Sequence, residues 1–303
     1  MKRFLLFVVT NLLVIVAISA VVQVLGLEPY LGARGIDYHS LLIMCSLFGF
    51  GGAFISLQMS RWMAKRGMGV ALIDPERPRT DFEARIVARV RRLCSAAGLE
   101  TLPEIGLYES PEVNAFATGP SRSRALLAIS TGLLRRMDDR AIDGVLGHEI
   151  SHIVNGDMVT MTLLQGVANT FVMFLSRVLV FALDQAMRSG NDDNRGRGGL
   201  GWFAQYMLIQ LFQSVLMLLA SIPVYWFSRR RELGADAGSA KLTGRETMIH
   251  ALEQLRDGPR VRDDRAPSFS AFKIDGHGYG LMQLLFASHP PLEQRIEALR
   301  RLP

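Results

Sequence analysis

Four stretches of this chain are too apolar for the rest of it to cover, and they constrain the fold more than any other feature. Phe4 to Leu25, Ser40 to Met59 and Leu200 to Phe227 contain no Asp, Glu, Lys or Arg, and Met158 to Leu183 contains only Arg177. Each is near or above the ~20 residues that a helix needs to cross a bilayer's hydrocarbon. Over 303 residues the chain is 49% hydrophobic and 20% charged, with a mean hydropathy of +0.21. That exceeds what a soluble domain of this length needs, and the apolar residues are gathered in blocks rather than spread periodically. The expectation is a membrane protein whose spans flank a water-facing domain.

Lys2 and Arg3 ahead of the first block invite comparison with a signal peptide. The block is longer than the ~7–15 residues of such an apolar core and no small-x-small site closes it, so it is expected to remain as a span. The third block is interrupted by Gln165, Asn169 and Arg177; it could span, lie along the interface, or pack Arg177 against protein, because an arginine facing lipid is costly, and a span is expected. The fourth has Trp202 near one end and Tyr225-Trp226 near the other, as an aromatic belt would. Lys2-Arg3, Arg61-Lys65-Arg66 and Arg229 to Arg231 fall on one side if all four blocks cross. The positive-inside rule then puts both termini and residues 60–157 in the cytoplasm. The net charge of +6 reads as a topology signal, and without a basic stripe interleaved with aromatics no nucleic-acid partner is expected. Cys45 and Cys94 offer no framework of pairs, so no disulfide is predicted.

Between the membrane pairs, "DPERPRT" punctuates the start of a soluble segment. Phe82, Ile86, Val90 and Leu93 recur at helical spacing from Asp81 to about Ala97, with Gly98 as a stop. "EIGLYES", "VNAFATG" and "ALLAIST" read as a small meander of strands, and Thr131 to Met137 as a helical turn or a connection. A further helix, capped by Asp138 or Asp139, has Ile142, Val145, Leu146, Ile150 and Ile153 on one face and ends at Asn155-Gly156.

That helix carries His148-Glu149-Ile150-Ser151-His152. Residues four apart stand one turn apart on the same face, so both imidazoles reach one Zn²⁺ while Glu149 points to its open side. A catalytic zinc takes three protein ligands and keeps a position for water, so a third ligand must come from elsewhere. Glu232 in "SRRRELGADAGSA" is a candidate, with Asp236 one turn on, where it would hold the free ring nitrogen of a ligating imidazole. The same spacing suits a charged pair on a solvated helix that balances the arginines. His39, His250 and His277 read as structural or solvated, and His289 before two prolines carries little signal of its own. Asp257 to Gly280, dense in Gly, Pro, Arg and Asp, reads as a mobile loop, with a lid over the cleft as one use for it.

HEISH, followed much later by a glutamate in an E-x-x-x-D element, with apolar pairs before and between them, resembles the HtpX family of membrane-embedded zinc metalloproteases, gluzincin-type relatives of the CAAX prenyl protease. The resemblance covers almost the whole chain and includes Asn114-Ala115-Phe116 and "HPPLEQR" from His289 to Arg295. It implies a mainly α fold with a small β-sheet: an integral membrane protein with about four hydrophobic segments and a zincin-like catalytic domain. Residues 1–60 would form two spans, 61–157 the first part of the cytoplasmic catalytic domain, 158–228 the third and fourth segments, and 229–303 the rest of that domain. One Zn²⁺ per chain would be held by His148, His152 and Glu232, with Glu149 as general base and Asp236 behind a ligand. Asn114 would lie beside an edge strand that holds an extended peptide. His289 would assist at the reacting carbonyl and Arg295 would support His289. The implied activity is peptide-bond hydrolysis in misfolded or damaged membrane proteins, or other unfolded polypeptides, at the cytoplasmic face of a bacterial inner membrane, in quality control and stress response. A narrow CAAX-like processing protease is one alternative and a non-catalytic zinc-bearing scaffold another; Glu149 weighs against the scaffold, because structural zinc needs no base. The sequence carries no signal of oligomeric state.

Overall fold

The computed structural model describes residues 37–189, 199–258 and 287–302, together with Val16, Ser19, Ala20 and Gln23. Nearly all of the first apolar block, the Gly-rich stretch after the third, and most of 257–280 with His277 lie outside the described residues. The elements in chain order are α1 (Tyr38–Gly67), β1 (Ala71–Ile73), α2 (Asp81–Ala96), β2 (Glu104–Tyr108), β3 (Ala115–Ser121), β4 (Arg124–Ser130), α3 (Thr131–Arg136), α4 (Asp139–Asn155), α5 (Asp157–Ser189), α6 (Trp202–Thr243), α7 (Arg245–Asp257) and α8 (Leu292–Arg300). Among the described residues the protein is mainly helical with one small sheet, and α1, α5 and α6 are long and apolar enough to cross a membrane.

The chain divides into two compact units. The first takes in residues 1–55 and 162–224. Here Tyr38, Leu42 and Cys45 of α1 cluster with Phe174 of α5. Close approach of these helices depends on glycine: a Cβ on Gly49 would lie 2.4 Å from Thr170 Oγ1, and one on Gly166 would lie 2.8 Å from the Phe50 ring. Arg177 turns along its own helix and donates to the Met173 carbonyl at 2.9 Å, which meets part of its need for partners in an apolar segment. Leu211, Val215, Leu218 and Leu219 of α6 are exposed, as lipid-facing residues are.

The second unit holds residues 56–161 and 225–303. Its sheet has the order β1-β2-β4-β3, with β2 parallel to β4 and the other pairs antiparallel. The expected three-strand meander is therefore corrected. Only β3 and β4 form a hairpin; the Pro111-containing connection after β2 does not turn tightly, and β4 rather than β3 comes to lie beside β2. The three-residue β1 is too short to show a period of two and was not expected from sequence. The strand that follows Asn114, β3, is an edge strand.

Helix α2 buries Ile86, Val87, Val90, Leu93 and Cys94, and Thr80 caps it by accepting from the Glu83 N–H. Asp138 caps α4 by accepting from the Ala141 N–H at 2.8 Å, and Gly156 ends it in the left-handed region at φ +74°. One face of α4 is the apolar one read from the sequence, with Ile142, Val145, Leu146, Ile150 and Ile153 buried. The other face is made of small residues. A Cβ on Gly147 would lie 2.7 Å from Ser239 Oγ of α6, and Gly238 of α6 packs on Ser151. Ser239 Oγ donates to the Gly144 carbonyl at 2.7 Å. That contact brings the end of α6 against the HEISH helix. Leu292, Ile296 and Leu299 of α8 pack on Met248, Ile249 and Leu252 of α7, which fixes Arg295.

Asp138 also meets the His250 ring at 2.7 Å and accepts from Gln254 at 2.7 Å, so His250 acts structurally. Asp138→Ala is expected to cost about 1 kcal/mol, read as a lower thermal midpoint of the detergent-solubilised protein. An unchanged midpoint would show that the cap carries no weight.

Candidate active site

His148 and His152 stand one turn apart on α4 with their Nε2 atoms 3.1 Å from each other. Glu232 of α6 completes a triangle, Oε2 lying 3.4 Å from His148 Nε2 and Oε1 lying 3.3 Å from His152 Nε2. A tetrahedral zinc with bonds of ~2.0–2.1 Å separates its ligand atoms by about 3.3–3.4 Å; the nitrogen–nitrogen contact and each nitrogen's contact with its own carboxylate oxygen are near that spacing, and one atom from each of the three residues lies within 4.8 Å of the others. The other ring nitrogens are engaged: His148 Nδ1–H donates to Asp236 at 2.9 Å and His152 Nδ1–H donates to Asp157 at 2.6 Å. In the neutral tautomer each Nε2 then carries its lone pair towards the other and towards a carboxylate. Only a cation or a shared proton reconciles two ring lone pairs and a carboxylate at those distances. The residues fit a metal ion.

Arg295 grips Asp236 with two hydrogen bonds, Nε to Oδ2 at 2.8 Å and Nη2 to Oδ1 at 2.6 Å. It meets Asp236 rather than His289, which differs from the support expected of it. His289 Nδ1 lies 2.8 Å from Glu232 Oε2, against the third member of the triangle. Asn114 is buried, its N–H donating to Ser130 Oγ at 3.1 Å and its carbonyl accepting from the Ser130 N–H at 2.9 Å. Its main chain is held where β3 begins. Glu149 is buried next to His148 on α4. Asp157 is the residue that sequence reasoning missed: it follows His152 by five positions, off the i+4 face, and opens an apolar block that drew attention for other reasons.

A family profile described as peptidase family M48 matches residues 81–302. The chain belongs to peptidase family M48. Protease HtpX of Tolumonas auensis is 48% identical over all of both chains. The Protease HtpX homolog of Methylacidiphilum infernorum is also 48% identical, over 100% of this chain and 99% of that one. The Bacillus subtilis homolog is 45% identical over 98% of each. Among these HtpX-type relatives the chain is a membrane metallopeptidase. The crystal structure of S. mikatae Ste24p shares the fold, with a TM-score of 0.56 at 17% identity, covering 98% of this chain and 66% of that one.

The electrostatics of this M48 site follow from counting charges. Arg231 and Arg295 face Asp157, Asp236, Glu232 and Glu149, an excess of two negative charges that a divalent cation neutralises. Without one, protons take its place. Burial works against a charged His152, but hydrogen bonds to Asp157 and Glu232 outweigh it and hold its pKa at about 10. The same balance, with Asp236 and Glu232 as partners, raises His148. Burial pushes the Glu149 carboxyl up, and the neighbouring histidines pull it back in part, which suits a base that must hold and release a proton.

The sign for His152 is that of a group raised on folding: its contribution to the metal-free protein is full below the unfolded value of about 6.5 and is lost as pH rises through about 10. Metal and proton therefore compete. At pH 7.5, zinc binding is expected to release between about one and two protons per ion, with affinity falling as pH drops. Calorimetry in two buffers of different ionisation enthalpy measures this; no proton release would refute the charge count.

Proposed function

We propose that this M48 peptidase is a zinc endopeptidase that hydrolyses unfolded or damaged membrane proteins at the cytoplasmic face of a bacterial inner membrane, in proteolytic quality control. The observation that carries the reading is the cluster of His148, His152 and Glu232, its ring nitrogens 3.1 Å apart and each 3.3–3.4 Å from one of the two Glu232 oxygens, with a buried carboxylate, Glu149, beside it. When bound, zinc supplies Lewis acidity to the scissile carbonyl and to a water molecule whose pKa it brings to roughly 7.

The protein's own residues do the rest. Glu149 takes the proton of the attacking water and returns one to the leaving amine. Asp236, fixed by Arg295, holds His148 in the tautomer that leaves Nε2 free for the metal. With protons on both ring nitrogens, His289 donates Nδ1–H to Glu232 and Nε2–H to the substrate's carbonyl oxygen, where one such contact contributes roughly 3 kcal/mol. The edge of β3, just after Asn114, offers main-chain groups to an extended peptide, a mode that tolerates varied sequences and suits unfolded chains. The positive clusters after the apolar blocks support a cytoplasmic site. Asp157 and Glu232 ride on α5 and α6, the helices that carry the third and fourth blocks, which supports substrates drawn from the membrane.

Purified full-length protein is expected to cleave casein and a membrane-protein substrate in a chelator-sensitive way that added zinc restores. Glu149→Gln is expected to lower turnover by about 10³-fold with zinc content unchanged. Equal activity in both would sink the mechanism, and wild-type cleavage confined to one processed peptide would favour a dedicated processing protease. A reporter fused after Gly156 is expected to act in the cytoplasm; an external one would overturn the orientation.

A further inference from the structure

We propose that Asp157 is a positioning residue of the metal site, setting the tautomer and direction of His152, with Arg231 as its counter-charge; this rests on the metallopeptidase reading above. Asp157 opens α5, and an acid in the first turn of a helix ordinarily needs no more explanation than the helix dipole. Such an acid stays at the surface. The Asp157 side chain is only 10% exposed, and Oδ2 accepts from His152 Nδ1–H at 2.6 Å. The left-handed Gly156 between α4 and α5 turns the chain so that the first residue of one helix reaches back to the last turn of the other.

A second observation is independent of that turn. Arg231, from α6, places Nη1 3.9 Å from the same Oδ2, with 16% of its side chain exposed. The result is a looser form on His152 of what Asp236 and Arg295 do on His148: an imidazole whose far nitrogen donates to a buried aspartate that in turn faces an arginine, Arg231 at 3.9 Å here and the hydrogen-bonded Arg295 there. The two aspartates come from different helices, and neither is a ligand of the triangle. A carboxylate on Nδ1 keeps the Nε2 lone pair on the metal side and raises its basicity, and losing such a partner typically weakens metal binding roughly 10–100-fold.

Zinc affinity of the full-length detergent-solubilised protein, measured by competition with a chromogenic chelator, tests this without reference to activity. Asp157→Ala is expected to weaken zinc roughly 10–100-fold, and Asp157→Asn, which keeps the acceptor and the shape but loses the charge, to fall between the two. Because Asp157 acts through His152, adding Asp157→Ala to His152→Ala is expected to cost nothing further. Zinc affinity within threefold of wild type in both single variants would overturn the proposal. So would a lower melting temperature of the metal-free protein with affinity unchanged, the signature of a helix-start role. If Asp157→Ala does not fold, the isosteric Asn variant carries the comparison. A wild-type chain that binds no zinc would sink the metallopeptidase reading itself, and this proposal with it.

Discussion

Two imidazole nitrogens 3.1 Å apart, each with its opposite nitrogen donating to a buried aspartate, form the contact that the rest of the catalytic unit depends on. Left alone, that contact sets lone pair against lone pair. It persists because a compensating charge is expected there, and every neighbouring element holds a group that makes this expectation strict. Helix α4 sets the two rings one turn apart. Helix α6 adds Glu232 and Asp236 on one face, four residues apart, and α8 adds Arg295. Around the site, the unit collects ionised groups and balances them instead of burying apolar surface, an arrangement whose net worth in stability is small but whose geometry is hard to mistake.

Small residues make this possible. Gly147 and Ser151 of α4 against Gly238 and Ser239 of α6 let two backbones come close enough for a carboxylate on one to reach imidazoles on the other. A larger residue at Gly147 would act on the metal triangle without touching it. The sheet contributes at its edge: β3 carries no metal-site residue itself, but it packs against the HEISH helix, and Asn114, just before it, is tied to β4 through Ser130, so the peptide edge proposed above lies against the helix that carries both histidines.

Much of this was legible in the sequence where a local rule applied. The caps of α4, Asp138 and Gly156, follow from short-range hydrogen bonding, and its apolar face follows from periodicity. The pair Glu232 and Asp236 was ambiguous, because i,i+4 spacing on a helix serves a metal and a solvated ion pair equally; burial of both residues rules out the solvated pair. What was not legible depended on contacts between distant segments. Strand order cannot be read from strand patterns, so the meander was the wrong connectivity. Arg295 was expected to serve His289, yet it grips Asp236. Asp157 escaped notice because only a left-handed glycine returns it to His152, and the motif's own spacing says nothing of that.

The hydrogen bond from His148 to Asp236, and the grip of Arg295 on that aspartate, also set a schedule. The HEISH helix is synthesised first, the third ligand only after both of the following apolar blocks, and the arginine that fixes Asp236 later still. On the roles proposed above, translation itself keeps the enzyme inert: a ribosome that has made the motif and is still threading α5 and α6 carries an unfinished site. Proteolytic competence is thereby deferred until the membrane helices have been made, and the growing chain is spared its own chemistry.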